Sequence, residues 1–409
     1  MIYLLIIFLI ILNSFIFGAN LKQNSANIDI INVGINEKNL NEYEGQHILP
    51  NGILYNSFLI LDEKIMIIDG VEKSYRNEWL SNIQKILNRK EPDFILIQHA
   101  EPDSSGSFIA LMELYPKIKV VSSMKSFSLL KKYYKKDFNE NRIIIKEGDT
   151  INLGKHILHF IEAPMIHWPE VIMTYDEYSK SFFSSDAFGK FGANDIDEPW
   201  EDEARRFFYG ILGKYEKQVQ SLLNKLKNFE IKNIYPGHGP ILTEKIDHYI
   251  SLYDKWSKFI PEEKGVVIVY ASIYGHTKIA IDKLIEKLKS LNVKYVVHNL
   301  SFSHISDIVA DAFKYSNLVL GSITYHDDIY PSMRIFINTL VNSNYQNRFV
   351  SIIENYSWKS NKGGALMKKL SNCKNLSFYK QVISINSSAK ERDIENINQL
   401  ALELYKNSK

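Results

Sequence analysis

Phe94-Ile-Leu-Ile-Gln-His-Ala-Glu-Pro-Asp103 joins a short apolar run to a polar loop that contains three residues able to bind a metal. The apolar run predicts a buried strand, and loops that follow such strands are where catalytic groups usually lie. His99, Glu101 and Asp103 occupy alternate positions, so an extended loop would turn all three side chains toward one point. The stretch therefore predicts a site for one or two metals at the end of a strand.

Short β-rich runs alternate with helical stretches over residues 27–256, which indicates a layered α and β domain. Three more candidate ligands lie in strand-to-loop settings of this region, namely His167, Asp186 and His238. A lone histidine of this kind is more often an ordinary hydrogen-bonded residue than a ligand, but the candidates together indicate a metal site. The only cysteine is Cys373, so a metal must be held by histidines and carboxylates.

These ordered motifs resemble the metallo-β-lactamase-like domain of the flavodiiron proteins, an αββα sandwich. The resemblance implies ligands for two metals: His99, Glu101 and His167 for the metal nearer the flavin, Asp103 and His238 for the other, and Asp186 as a bridge. Related zinc hydrolases carry a second histidine at the position of Glu101, and a carboxylate there suits iron better than zinc. Two irons are therefore expected.

Ser104 departs from the family pattern, which usually has a histidine directly after the aspartate. A serine hydroxyl is a poor neutral ligand, so the second metal keeps three protein ligands and an open face. We expect two irons to bind nevertheless, because Asp103, Asp186 and His238 remain.

The second half of the chain begins with another strand-loop-helix pattern. The run Gly265-Val-Val-Ile-Val-Tyr270 is followed by Ser272-Ile-Tyr-Gly-His-Thr277 and an amphipathic helix. A helix amino terminus with free N–H groups is a ready anion site, and Gly275 lets the backbone come close to a phosphate. Two later loops, Gly321-Ser-Ile-Thr-Tyr-His326 and Asn355-Tyr-Ser-Trp358, also follow predicted strands. Since the carboxyl ends of strands in a doubly wound parallel sheet share one edge, the three loops should meet there.

The three loops resemble those of flavodoxin in type and order over residues 262–409. The resemblance implies a flavodoxin-like α/β domain that binds FMN, with the phosphate on the first loop and the ring between the later two. The residues expected to bind FMN are Ser272, Ile273, Tyr274, Gly275, His276, Thr277, Ser322, Thr324, Tyr325, Asn355, Tyr356, Ser357 and Trp358.

Residues 1–20 form an almost unbroken apolar leader, which indicates an export signal or a membrane anchor unless it is a dispensable extension. The first charge is Lys22, and basic residues on this side alone favour a cytoplasmic protein anchored by the leader. The 409 residues carry a net charge of +2 without a long basic block, so nucleic acid is not an expected partner.

The order of the two domains resembles the flavodiiron proteins over about the whole chain after the leader. The implied activity is reduction of dioxygen to water or of nitric oxide to nitrous oxide, with FMN passing electrons to the irons. The sequence has no rubredoxin-like cysteine pairs, so the expected electron donor is a separate protein such as a rubredoxin or its reductase. Relatives bring the FMN of one subunit to the irons of another, which implies a homodimer or a dimer of dimers.

Two other functions stay open from the sequence. A metallo-β-lactamase-type hydrolase would use the same fold, although Glu101 and the flavin domain argue against it. An FMN electron carrier or a gas sensor would result if Ser104 left the second metal site incomplete. The ligand set does not decide between dioxygen and nitric oxide, since the ligands implied by the resemblance are the same for both.

Overall fold

The structure is a computed structural model that describes residues 29–196, 198–359 and 362–409. The leader at residues 1–20, predicted to be a signal or an anchor, lies outside the described residues. Within the described part of the chain, no helix is long and apolar enough to cross a lipid bilayer.

Two large sheets form the centre of the amino-terminal part. Its strands are β1 (Ile30–Asn32), β2 (Ile35–Glu37), β3 (Glu42–Tyr43), β4 (His47–Ile48), β5 (Ile53–Tyr55), β6 (Phe58–Ile60), β7 (Met66–Ile68), β8 (Phe94–Leu96), β9 (Lys119–Ser123), β10 (Arg142–Ile145), β11 (Thr150–Asn152), β12 (Ile157–Glu162), β13 (Ile172–Asp176), β14 (Ser181–Ser185) and β15 (Asn233–Pro236). Its helices are α1 (Arg76–Leu87), α2 (Pro102–Ser105), α3 (Phe108–Leu114), α4 (Met124–Tyr134), α5 (Trp200–Phe207), α6 (Glu216–Leu226) and α7 (Ile246–Ser257). One sheet has the order β1-β6-β7-β8-β9-β10 and the other β11-β12-β13-β14-β15, while β2 pairs with β5 and β3 with β4.

Alternate side chains along these strands fill two different apolar cores. In β6, Phe58 and Ile60 pack in the core between the two sheets, whereas Leu59 packs in the core on the other face. Successive side chains of a strand point to opposite faces, so a strand that is buried on both sides needs a cover on each. Trp79 of α1 packs on the outer face, in the same core as Leu59. The predicted αββα sandwich is confirmed.

A parallel sheet forms the carboxyl-terminal part. Its strands are β16 (Glu263–Tyr270), β17 (Tyr295–Asn299), β18 (Tyr315–Tyr325), β19 (Asp328–Ile329), β20 (Phe349–Tyr356), β21 (Ser377–Phe378) and β22 (Ile383–Asn386). Its helices are α8 (His276–Ser290), α9 (Ile305–Lys314), α10 (Pro331–Asn342), α11 (Lys362–Leu370) and α12 (Glu391–Asn407). Strands β17, β16, β18, β20 and β22 are parallel neighbours in that order, which is the flavodoxin-like order 2-1-3-4-5. Helices α8 and α12 cover one face and α9, α10 and α11 the other, as predicted for a doubly wound sheet.

Aromatic stacking and a buried ion pair join the two parts. The rings of Tyr209 and Phe313 stack with centroids 3.9 Å apart and an angle of 8° between their planes. The guanidinium of Arg205 donates to the carboxylate of Glu262, with Nη2 and Oε2 2.8 Å apart. These contacts connect α5 and the turn after it to the parallel sheet and its helix α9.

Arg348 is a buried cation whose contacts are backbone carbonyls. It is 2% exposed, and Nε donates to the carbonyl of Tyr315 at 2.8 Å while Nη1 donates to the carbonyl of Phe259 at 2.6 Å. Nη2 donates to the carbonyl of Phe313. The side chain thereby holds the segment before β16 against the starts of β18 and β20.

We predict that Arg348→Met lowers the free energy of unfolding by about 3 kcal/mol, because several buried carbonyls lose a charged donor. Thermal and urea unfolding measure the change. Arg392 is exposed, and Arg392→Met is the control, expected within about 0.5 kcal/mol of the wild type. Equal stability of the two variants would contradict the account of this core.

Candidate functional site

Four of the predicted metal ligands form one tight group. Glu101 Oε2 lies 3.0 Å from His99 Nε2 and 2.9 Å from His167 Nε2. Asp186 Oδ2 lies 3.4 Å from the same nitrogen of His99 and 3.5 Å from that of His167. The loops that follow β8, β12 and β14 carry these residues, so two sheets contribute donor atoms to one point.

Asp103 and His238 form a second group with the other oxygen of Asp186. His238 Nε2 lies 3.2 Å from Asp103 Oδ2 and 3.5 Å from Asp186 Oδ1. His238 Nδ1 donates to the carbonyl of Leu54 at 2.7 Å, which turns Nε2 toward the carboxylates. Asp186 therefore lies between the two groups and presents one oxygen to each. Ser104 Oγ is 3.3 Å from Asp103 Oδ1 and donates to it.

The charges of this cluster are crowded and buried. Burial by itself lowers the pKa of His99, but Asp186, Glu101 and Glu170 outweigh burial and hold that pKa well above its ordinary value. Burial raises the pKa of the Asp186 carboxyl. Asp186 Oδ2 is buried and has no hydrogen-bond partner among the described residues. Since a buried carboxylate oxygen without a partner is costly, a cation at this point would satisfy it, and the donor set fits metal ions.

Glu170 supports His99 from the side opposite the cluster. It is 2% exposed, and Oε1 accepts hydrogen bonds from His99 Nδ1 at 2.9 Å and from the backbone N–H of Ala100 at 3.0 Å. A carboxylate on Nδ1 fixes the histidine tautomer that leaves Nε2 free for a metal. Glu170 was not predicted from the sequence, where the one signal was its position directly after the loop of His167.

The hairpin of β3 and β4 covers both groups. Tyr43 Oη donates to Asp103 Oδ2 at 2.7 Å. The carboxylate of Glu44 lies within 4.8 Å of donor atoms of Glu101 and His167. Neither hairpin residue was predicted from the sequence, because nothing in the local sequence indicates that this hairpin folds over loops so far along the chain.

A cavity of about 730 Å³ lies at the carboxyl edge of the parallel sheet. Its lining includes most residues of the three predicted loops: Ser272, Ile273, Tyr274, His276, Thr277, Thr324, Tyr325, Asn355, Tyr356, Ser357 and Trp358. Ile323, His326, Lys359 and Ser387 also line it and were not predicted. Gly275 and Ser322 belong to the same loops but are not among the lining residues.

The cavity has features that suit a planar ligand with an anionic tail. The side chains of Tyr274 and Trp358 are 89% and 87% exposed, so two aromatic rings beside the cavity lack a packing partner. Gly275 has a φ of 90° and directly precedes α8, where it brings the free N–H groups of the helix to the first loop. The Thr324 hydroxyl is buried without a hydrogen-bond partner among the described residues.

Comparisons with known proteins agree with this architecture. The model of the "ODP family beta lactamase" family matches residues 53–239. A nitric oxide reductase of Moorella thermoacetica is 30% identical over 329 residues, which are 78% of this chain and 81% of that protein. The flavodiiron protein of Giardia intestinalis superposes with a TM-score of 0.85 at 24% identity and covers 94% of this chain and 96% of its own. The chain belongs to the flavodiiron family.

A second solved structure extends the agreement in fold. The rubredoxin oxygen:oxidoreductase of Desulfovibrio gigas superposes on this flavodiiron protein with a TM-score of 0.87 at 23% identity, over 94% of this chain and 98% of that chain. The predicted fold class and the assignment as an oxidoreductase are confirmed. The roles predicted for individual site residues stay predictions. The fold of this chain does bring the six metal-ligand candidates together and places most of the predicted loop residues around one cavity.

We predict that Glu170→Gln weakens metal binding by about 10- to 100-fold, because a neutral amide accepts more weakly from His99 Nδ1 and removes the charge that strengthens Nε2 as a ligand. Competition with a chelator measures the metal affinity. Glu177 accepts from His159 at the surface, 2.8 Å away, and Glu177→Gln is the matched control. Equal metal affinity in Glu170→Gln and the control would refute the support role of Glu170.

We predict that Trp358→Ala weakens binding of FMN by about tenfold, through the loss of a stacking surface. Fluorescence titration of the flavin-free protein with FMN measures the affinity. Phe302 is also 83% exposed but does not line the cavity, so Phe302→Ala should bind FMN like the wild type. An unchanged affinity in Trp358→Ala would show that the ring does not stack on this side chain.

Proposed function

We propose that this flavodiiron protein reduces dioxygen to water, nitric oxide to nitrous oxide, or both, with an iron pair in the amino-terminal part and FMN in the carboxyl-terminal part. The observation that carries the proposal is Asp186, whose two buried oxygens face two separate groups of nitrogen and oxygen donors. One carboxylate between two donor groups is the arrangement that a pair of metals needs. Names of relatives and structural neighbours, among them a nitric oxide reductase and a rubredoxin oxygen:oxidoreductase, support the same chemistry.

In this proposal each of the two irons has its own set of protein ligands. His99, Glu101, His167 and Asp186 would hold one iron, and Asp103, His238 and Asp186 would hold the other. Ser104 would add no strong ligand to the second iron, which leaves room for a small gas. The carboxylate share of both ligand sets favours iron over zinc.

The cavity of the parallel sheet is proposed as the FMN site. The first loop, with Ser272, Thr277 and the amino terminus of α8, holds the phosphate. Tyr325 and Trp358 provide aromatic surfaces for the ring. When bound, FMN would supply electrons and iron would supply the redox chemistry toward the gas. The protein holds both groups in place and buries most of the side chains that would bind the metals.

We propose that the electrons come from another protein, because the sequence has no rubredoxin-like cysteine pairs. Reduction of dioxygen to two waters uses four electrons and four protons, and reduction of two nitric oxide molecules to nitrous oxide and water uses two of each. A rubredoxin or its reductase is the proposed donor. From the resemblance to the flavodiiron proteins we also propose a homodimer or a dimer of dimers, in which the FMN of one subunit lies near the irons of another. The same resemblance gives the proposed domain limits, 27–256 and 262–409.

A second candidate function has a specific observation in its favour. Ser104 leaves Asp103, Asp186 and His238 as the protein donors of the second group. If that group failed to hold iron, the protein would act as an FMN electron carrier or as a gas sensor. The metallo-β-lactamase-type hydrolase is not retained, because the relatives whose names state an activity include a nitric oxide reductase and a rubredoxin oxygen:oxidoreductase.

We predict that the reduced, iron-loaded wild type is reoxidised rapidly by dioxygen or nitric oxide. Asp186→Asn should slow this reaction about 100-fold or more, since it removes a negative charge that both irons share. Stopped-flow absorbance of the flavin after anaerobic reduction measures the rate, and gas chromatography measures nitrous oxide.

Asp137→Asn is the control, because Asp137 pairs with Lys131 at the surface. Rapid reoxidation in both variants would refute the role of Asp186. A wild type that binds FMN but reacts with neither gas would favour the carrier or sensor.

A further inference from the structure

The hairpin of β3 and β4 places the carboxylate of Glu44 beside the first donor group. This carboxylate is not part of the proposed ligand set. The turn spans residues 44–46, and its first two residues, Glu44 and Gly45, have φ values of 51° and 66°. Glycine takes such a left-handed conformation freely, whereas glutamate rarely does. The chain therefore keeps a glutamate at a turn position that glycine would fill with less strain.

The carboxylate of Glu44 points toward the metal cluster rather than into solvent. A Glu44 oxygen, a Glu101 oxygen and a His167 nitrogen all lie within 4.8 Å of one another. The Glu44 side chain is 25% exposed, so the hairpin and the cluster cover most of it. Around Glu44 Oε2, Gln46 Nε2 lies at 3.4 Å and His47 Nε2 at 3.9 Å. The nearest groups of its own hairpin thus contact it at long distances and leave it able to bind elsewhere.

Two carboxylates held this close repel each other unless positive charge lies between them. Glu44 and Glu101 stand in this relation. Glu101 and the buried Asp186 Oδ2, which has no hydrogen-bond partner among the described residues, both face the Nε2 atom of His167. His167 offers a ring nitrogen to the same point. A metal ion at His167 would place positive charge among these carboxylates, and its affinity would rise with each added carboxylate ligand.

We propose that Glu44 is a further ligand of the metal that His99, Glu101 and His167 hold. The inference rests on the proposed function, because it assumes the iron pair. The first metal then has five protein side chains, Asp186 included, whereas the second has three because of Ser104. Glu44 would thus increase the difference in ligand number that Ser104 already causes between the two metals.

The test is anaerobic release of iron from the full, iron-loaded protein to a ferrous chelator. We expect the wild type to release its two irons in a fast and a slow phase. Glu44→Gln and Glu44→Gly should each speed the slow phase about tenfold or more and leave the fast phase unchanged. Glu42 lies on the same hairpin and is exposed, so Glu42→Gln should release iron like the wild type.

Glu44→Gly separates loss of the ligand from loss of the fold. Glycine suits the φ of 51°, so the melting temperature of the metal-free variant should not fall below that of the wild type. Wild-type release rates in both Glu44 variants would overturn the role of Glu44 and leave the iron pair standing. A wild type that holds no iron pair would overturn the proposed function and this inference together.

Discussion

Like charges held together in a buried space are the constraint on which the rest of the structure depends. Glu101, Asp103 and Asp186 meet among three imidazoles, and Asp186 is almost fully buried. Without positive charge among them, such carboxylates repel and lose their hydration. The protein keeps them together by fixing every loop that carries them, and the iron pair that we propose would supply the missing charge.

The two sheets of the sandwich provide that fixation. His99 follows a strand of one sheet, whereas His167, Asp186 and His238 follow strands of the other. Strands buried on both faces leave their ends little freedom, so the loops start from fixed points. Supporting contacts behind the ligands, such as Glu170 on His99 and the Leu54 carbonyl on His238, then fix the direction of each ring.

The sequence predicted the elements whose signal is local. Apolar runs that end in His99, Asp186 or Ser272 indicated strands followed by functional loops, and the order of these motifs indicated both parts of the fold. The resemblance to the flavodiiron proteins added the assignment of each ligand to one of the two metals. Neither indicated Glu44 or Glu170, because a carboxylate gains its role only when folding brings it to a distant histidine or to another carboxylate.

The residues that line the cavity also divide into those with a local sequence signal and those without one. The loops at 272–277 and 355–358 were recognisable because each follows an apolar strand, and both line the cavity. Lys359 directly follows a recognised loop, His326 ends one without having been expected to bind FMN, and Ser387 comes from a strand end that carried no motif. Sequence patterns therefore located the cavity but not its full lining, which depends on how far each loop extends across the edge of the sheet.

The most direct test of the account is the count of iron, zinc and FMN per chain in protein purified anaerobically from iron-supplied cells, together with the Mössbauer spectrum of the iron. The account predicts about two irons and one FMN per chain, with two distinct iron signals. One iron or none beside a full complement of FMN, or zinc in place of iron, would contradict it.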